Sequence, residues 1–319
     1  MIPISARALI TGVFAIALSA QAGGALASSA ASAEETPAKA ADAPSPQTRK
    51  DLEESMRGEA FANASYLLYA TQAQQEGHQS VARLFERTAG VELGEHFKEE
   101  AALSGLVGDD AANVRDTISG EKYESQTMYP RFAQQAEADG DTQAADRFSE
   151  VAQDEGKHAR AFGAALKAVE SGQGTIPEPP QVKAAQVRQG KAEVRASRTR
   201  ANLDEAMHGE ALAHAKYQLY AEHAKDPALA DLFRGTGEVE LREHFTEEAE
   251  LAGLVGTTKD NLTSAIAGER YESQTMYPTF AKRAKAAGDI EAATRFAHNA
   301  EDEAGHARSF QNALDQLQR

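Results

Sequence analysis

Gly120-Glu121-Lys122-Tyr123-Glu124-Ser125-Gln126-Thr127-Met128-Tyr129-Pro130 recurs as Gly268-Glu269-Arg270-Tyr271-Glu272-Ser273-Gln274-Thr275-Met276-Tyr277-Pro278, and Lys122 against Arg270 is the one difference. In each copy two glutamates stand three residues apart. On a helix that spacing places both carboxylates on one face, about one turn apart. Acids stacked in this way need a positive counterpart.

Outward from these two stretches the chain reads as an internal duplication. Arg49–Ala70 matches Arg200–Ala221 at 13 of 22 positions. All eight tyrosines fall in equivalent pairs: Tyr66 with Tyr217, Tyr69 with Tyr220, Tyr123 with Tyr271 and Tyr129 with Tyr277. The link between the first two helices is three residues shorter in the second copy, so the copies have drifted.

Within each copy the text is helical. Glu, Ala, Gln, Arg and Leu dominate and β-branched runs are scarce. An apolar face begun by Leu52, Met56 and Ala60 continues through Tyr66, Leu67, Tyr69 and Ala70. A break at Gly77-His78 precedes a second helix over about 79–104. Leu106-Val107-Gly108 before Asp109-Asp110 predicts a stop and a new N-cap. A third helix runs to about Asp139 with Pro130 inside it, where a kink and a freed carbonyl are expected. After Gly140-Asp141 a fourth helix runs to about Glu170. The expected organisation is an all-α chain of two tandem four-helix domains, 49–170 and 200–319, joined by a Gly- and Pro-containing linker over 171–199.

The N-terminal 1–33 read as an export signal. Arg7 is the early charge, Ala8 to Leu18 is a short apolar run, and small-residue cleavage sites follow at Ala20-Gln21-Ala22 and Ala31-Ser32-Ala33. The Ala- and Pro-rich 34–48 read as a flexible spacer. An exported protein, periplasmic or extracellular, is expected, free of the membrane once the signal is cleaved. The net charge of -16 argues against nucleic acid and anionic lipid as partners. The chain has no cysteine, which excludes disulfides, thiolate metal sites and cysteine nucleophiles.

Each copy carries acids and histidines at helical spacing on all four helices. In the first they are Glu59; Glu92, Glu95 and His96; Glu121 and Glu124; Glu155 and His158. The twins are Glu210; Glu240, Glu243 and His244; Glu269 and Glu272; Glu303 and His306. One glutamate on a helix is ordinarily solvated, and one Glu-x-x-His pair is ordinarily surface decoration. Four helices each bearing such a group, twice over, weigh differently. Several carboxylates gathered in a bundle core are prohibitive unless cations compensate them. Carboxylate with imidazole suits iron or manganese and less often zinc, and a Glu from two helices with Glu-x-x-His on the other two is a di-metal arrangement of ferritin-like bundles.

On Gly58-Glu59, the Gly-Glu-x-Tyr-Glu…Met-Tyr-Pro run at 120–130 and Glu155-x-x-His158, each copy resembles the di-iron domain of rubrerythrin, a ferritin-like protein. The resemblance covers nearly all of 50–168 and 201–319. It implies two di-iron centres (manganese being the alternative metal), with Tyr66, Tyr129, Tyr217 and Tyr277 beside the metal ligands, where they either hydrogen-bond ligand carboxylates or merely pack. There are two departures. The rubredoxin-like domain of rubrerythrins proper needs four cysteines, so the chain is similar to the cysteine-free erythrin-type members. The second helix in the family normally reads Glu-x-x-His, whereas here Glu92 and Glu95 hold those places and His96 stands one step on. Either Glu95 and Glu243 replace the histidine or His96 and His244 act at i+4, and the register favours the glutamates.

The link between helices two and three is also short for a ferritin-like bundle. Two arrangements stay open: self-contained bundles side by side, or helix pairs swapped between copies. The function implied is reduction of hydrogen peroxide or dioxygen with an external electron donor, in oxidative-stress defence. The alternative is an iron-binding or ferroxidase module that sequesters iron without turnover. Homo-oligomerisation is left open.

Overall fold

The computed structural model describes residues 43–318. The expected signal and residues 34–42 of the expected spacer lie outside the described residues. The rest of that spacer is not flexible chain throughout. A helix begins at Pro46, where the ring pre-sets φ, and the Ser45 hydroxyl accepts the Thr48 N–H at 3.2 Å as N-cap.

Among the described residues eight long helices follow in order: α1 Pro46–Gln75, α2 over 79–104, α3 over 110–139, α4 Thr142–Ser171, α5 Ser197–His223, α6 over 227–252, α7 over 258–287 and α8 Ile290–Leu317. Four of them are not uniform. A wider π turn interrupts α2 at Glu92–Phe97, α3 at Glu124–Met128, α6 at Glu240–Phe245 and α7 at Glu272–Met276. The turns in α3 and α7 end directly before Tyr129-Pro130 and Tyr277-Pro278. The interruption expected at Pro130 therefore takes the form of an extra residue in the turn. Proline lacks the N–H that would close a regular turn, and widening moves the clashing carbonyl aside.

The packing crosses between the repeats. In one bundle α1 and α2 pack with α7 and α8: the Phe310 ring lies 5.3 Å from Tyr66 and 5.0 Å from Phe85, centre to centre. Leu52 of α1 is buried in one apolar cluster with Tyr277, Phe280 and Phe296. In the other bundle α5 and α6 pack with α3 and α4. There Phe162 lies 5.0 Å from Phe233 and 5.9 Å from Tyr217, and Leu203 is buried with Tyr129, Phe132 and Phe148. Between the bundles α1 runs along α5, with Phe61 stacked on His208 at 4.0 Å.

Helix starts are tied across repeats in the same way. Asp289, at the turn before α8, accepts the Ser45 N–H at 3.0 Å and the Thr48 hydroxyl at 2.6 Å. Its twin Asp141 accepts the N–H groups of Arg195 and Ala196 at 2.8 and 3.0 Å. The segment between α4 and α5 carries no helix and is bound along α6 as a strap. Its N–H groups at Ala185, Gly190 and Glu193 donate to the carbonyls of Arg242, Val255 and Leu251 at 2.8, 3.1 and 2.9 Å, and Val194 is buried. No described helix is long and apolar enough to cross a membrane.

Candidate metal centres

Two ligand clusters lie inside the bundles, each assembled from four helices. In centre I, Glu59 of α1, Glu92 and His96 of α2, and Glu303 of α8 bring one oxygen or nitrogen each within 4.8 Å of one another. Glu92 and Glu303 belong equally to a second group with Glu269 of α7 and His306 of α8. In centre II the groups are Glu155, Glu210, Glu240 and His244, and Glu121, Glu155, His158 and Glu240. Each centre thus presents two adjacent cation positions. Two carboxylates are shared between them (Glu92 and Glu303, or Glu155 and Glu240), and each position has one further carboxylate and one imidazole of its own.

The π turn explains which residue of the second helix points inward. Widening the turn brings residue i+4 over residue i. His96 Nδ1 accordingly lies 3.0 Å from a Glu92 oxygen and 2.9 Å from one of Glu303, and His244 Nδ1 lies 2.9 Å from both Glu240 and Glu155. The sequence preference for Glu95 and Glu243 is corrected. Glu95 is exposed, and Glu243 turns to the strap, where it accepts the Lys183 N–H. The apolar spacing held a clue: Phe85 and Ala89 are buried, and seven residues beyond them fall Glu92 and His96, not Glu95.

Glu124 and Glu272 are half-buried and stand beside the four-residue groups. Glu272 reaches towards α1, where a Cβ on Gly58 would sit 3.7 Å from its carboxylate; Glu124 and Gly209 repeat the relation. All four tyrosines donate to cluster carboxylates of the other repeat. Tyr66 reaches Glu269 and Tyr217 reaches Glu121, both at 2.6 Å, while Tyr277 donates to Glu59 and Tyr129 to Glu210. The structure adds Glu100 and Glu248, fully buried, with oxygens 3.2 and 3.0 Å from the hydroxyls of Tyr277 and Tyr129. In sequence they sit inside acidic runs that look like solvated surface. Each lies four residues beyond the inward histidine, on the same helical face.

Burial and mutual repulsion shift these groups strongly. Burial, with Glu155 and Glu240 nearby, pushes the Glu124 carboxyl up to about 8, and burial brings Glu92 up to about 7 and Glu269 up to about 8. Burial alone would lower the His96 imidazolium, but the carboxylates of Glu303, Glu59 and Glu92 hold it well above its ordinary range. Burial opposes ionisation of Glu155 as well, but His244 and His158 hold that carboxyl well below its ordinary range.

The donor chemistry fits divalent metal. Buried side-chain atoms without a hydrogen-bond partner gather in these centres: both oxygens of Glu92 and Glu240, both ring nitrogens of His96 and His244, and single oxygens of Glu121, Glu155, Glu269 and Glu303. Orphaned buried polar atoms are costly, and a metal would satisfy them together. Mixed carboxylate and imidazole donors suit iron or manganese.

A family model described as rubrerythrin matches residues 90–166 and 228–314, once in each repeat. The chain is 34% identical to a rubrerythrin of Porphyromonas gingivalis over 139 residues, spanning 40% of this chain and 69% of the relative. It is 32% identical to a putative rubrerythrin of Methanocaldococcus jannaschii, over 40% of this chain and 72% of the relative, and 30% identical to nigerythrin of Nitratidesulfovibrio vulgaris, over 39% and 68%. Among solved structures, reduced symerythrin from Cyanophora paradoxa is 23% identical with a TM-score of 0.20, covering 67% of this chain and 88% of that one. The family model spans about half of the chain, and the chain belongs to the rubrerythrin family.

Proposed function

We propose that the protein is an exported peroxide reductase with two di-iron centres, ligated by Glu59, Glu92, His96, Glu269, Glu303 and His306 in centre I, and by Glu121, Glu155, His158, Glu210, Glu240 and His244 in centre II. The observation that carries this reading is the sharing of two buried carboxylates by two adjacent donor groups, twice in one chain. It is the donor pattern of a paired-metal site, and membership of the rubrerythrin family favours iron. Glu124 and Glu272 stand ready as additional carboxylates at the half-buried side of each centre.

When bound, the iron pair supplies the two electrons that split hydrogen peroxide to water. The chain's own groups do the rest. Tyr66 and Tyr277, with Tyr217 and Tyr129 in the other centre, fix one oxygen of a terminal carboxylate and leave its second oxygen free to bind. Packing around Phe85, Phe310 and their counterparts Phe233 and Phe162 keeps water from the interior side. Five carboxylates per centre exceed the charge of two ferrous ions, which favours the ferric state and makes an external reductant necessary. The short apolar run from Ala8 to Leu18 supports export.

Metal analysis of the iron-loaded protein with an anaerobic hydrogen peroxide titration tests the proposal. About four irons per chain, two electrons transferred per centre and repeated turnover with an added reductant are expected. A metal content near zero would overturn it. A single oxidation per loaded centre with no turnover would replace it with iron sequestration.

A further inference from the structure

The ligand sets of the two centres are alike residue for residue, but what stands behind them is not. In centre I the buried Glu100 is caged. One of its oxygens accepts from the Ser55 hydroxyl at 2.6 Å and from the Asn299 amide at 2.9 Å. The same two donors lie 2.9 and 3.3 Å from the Tyr277 oxygen, and Tyr277 donates to Glu59. Ser55 and Asn299 are fully buried. In centre II their places are taken by Ala206 and Val151, both buried in the apolar cluster that contains Tyr129. Glu248 there has the Tyr129 hydroxyl at 3.0 Å, and that hydroxyl also serves Glu210.

We infer that Ser55 and Asn299 are positioning residues that hold Tyr277 and Glu59 for metal, making centre I a more tightly preorganised di-metal site than centre II, where Ala206 and Val151 stand in their places. The inference rests on the metal-binding reading above. Its logic is geometric. The single Ser55 proton goes to Glu100, whereas the Asn299 amide has two and serves both Glu100 and the Tyr277 oxygen; a tyrosine oxygen that accepts from that amide directs its own proton towards Glu59. One Glu59 oxygen is then committed and the other, 3.6 Å from His96 Nδ1, is presented to the cluster. Tyr129, like Tyr277, meets two carboxylates with one proton, but Ala206 and Val151 offer it no donor to fix its choice. A preorganised ligand costs less to order when the metal arrives.

The two centres also differ in the strap, which touches the π turn of α6 through Lys183 and Ala185. Comparing the native centres would mix the two effects, so the test alters the cage alone. Glu121→Ala leaves centre I as the complete centre, and Glu269→Ala leaves centre II. Each protein is titrated with Co(II) against a competing chelator, and helicity is followed by circular dichroism. In the Glu121→Ala protein, adding S55A and N299V should weaken Co(II) binding about tenfold, as expected for two lost hydrogen bonds of ordinary strength. In the Glu269→Ala protein, adding A206S and V151N should strengthen it roughly fivefold, a gain that damage to the fold could not produce. Should S55A/N299V lower helicity, the gain in centre II decides. Co(II) affinities unchanged within twofold by both cage exchanges would overturn this inference while leaving the metal-binding reading intact. Absence of Co(II) binding in both single-centre proteins would overturn both.

Discussion

The ion pair between Asp51 and Arg283 offers a test of how the repeats assemble. Asp51 lies on α1, its side chain 1% exposed, and Arg283 on α7, 40% exposed; the guanidinium grips both carboxylate oxygens at 2.6 and 2.9 Å. At the equivalent place in the other bundle, Asn202 of α5 donates to Gln135 of α3 at 2.9 Å. Both residues of the pair have changed, and each pair is matched. Were each repeat folded on itself, Asp51 would face Gln135 and Asn202 would face Arg283, which leaves a buried carboxylate without its cation. Breaking a fully buried pair costs about 3–5 kcal/mol. Arg283 is partly in water, so R283Q should cost about 2 kcal/mol and D51N about 1–2 kcal/mol. The double variant D51N/R283Q rebuilds the Asn–Gln bond of the other bundle and should be destabilised by only about 1 kcal/mol, giving a coupling of about 2 kcal/mol. Urea denaturation of the four proteins, followed by helical ellipticity at constant m, measures it. Additive losses, with coupling indistinguishable from zero, would refute contact between these residues and with it the pairing of α1 with α7.

Four further outcomes follow. E121A/E269A should lose paired-metal binding yet be as helical as the parent, and more resistant to heat without metal because one buried acid per centre is gone; iron loading equal to the parent would contradict the ligand assignment. Chelating the metal from the parent should lower its melting temperature, by an amount that grows with the logarithm of the metal excess beforehand, and calorimetry at two metal concentrations checks this. Gly253 and Gly105 are twin helix ends with φ of +64° and +69°, but a Cβ on Gly253 would lie 2.2 Å from the Ala192 nitrogen of the strap while one on Gly105 meets open space; G105A should therefore cost about 1 kcal/mol and G253A clearly more, and equal losses in denaturation would argue that the strap is not seated there. Hydrogen bonds from Thr48 and Ser45 hold the Asp289 carboxyl below its ordinary range. Its contribution to stability is complete above the unfolded value near 4 and fades as pH falls through the lower folded one, so D289N should flatten the acid limb of the stability profile below about pH 4.

Helix positions and the family were readable because local signals carry them: helix-forming composition, Gly and Pro punctuation, and the repeated Glu-x-x-Glu run. The inward residue of α2 was not, because straight α-helical counting assigns the place to Glu95, and a π turn inserts a residue that no local propensity announces. Glu100 and Glu248 were hidden by composition, since Glu99-Glu100 and Glu247-Glu248 read as surface acids. Yet Glu99 and Glu247 do remain at the surface, paired with Arg295 and Arg147, while their neighbours are fully buried. The cross-repeat packing left a trace that single-repeat reading overlooks. Between the copies, Asp51 and Arg283 become Asn202 and Gln135, Ser55 and Asn299 become Ala206 and Val151, and the Lys216–Asp116 ion pair corresponds to Ser65 and Ser264. Each change is matched in polarity by a change in the other repeat.

That matched drift bears on why two copies share one chain. Glu59 and Glu92 lie in one repeat and Glu269 and Glu303 in the other, so neither repeat holds a complete centre. In a symmetric dimer of single repeats, any substitution would appear at both centres at once, and a polar cage around Glu100 could not coexist with an apolar one around Glu248. Fusion removes that constraint, because Ser55 and Ala206 are then separate positions. It also replaces a bimolecular encounter by an intramolecular one, whose effective concentration is set by the linker rather than by expression level. The strap over 172–196 goes further, its backbone bonding along α6 and not along the twin helix α2. A chain built this way can hold its two centres at different affinities, which a dimer of identical subunits can reach only by breaking its symmetry.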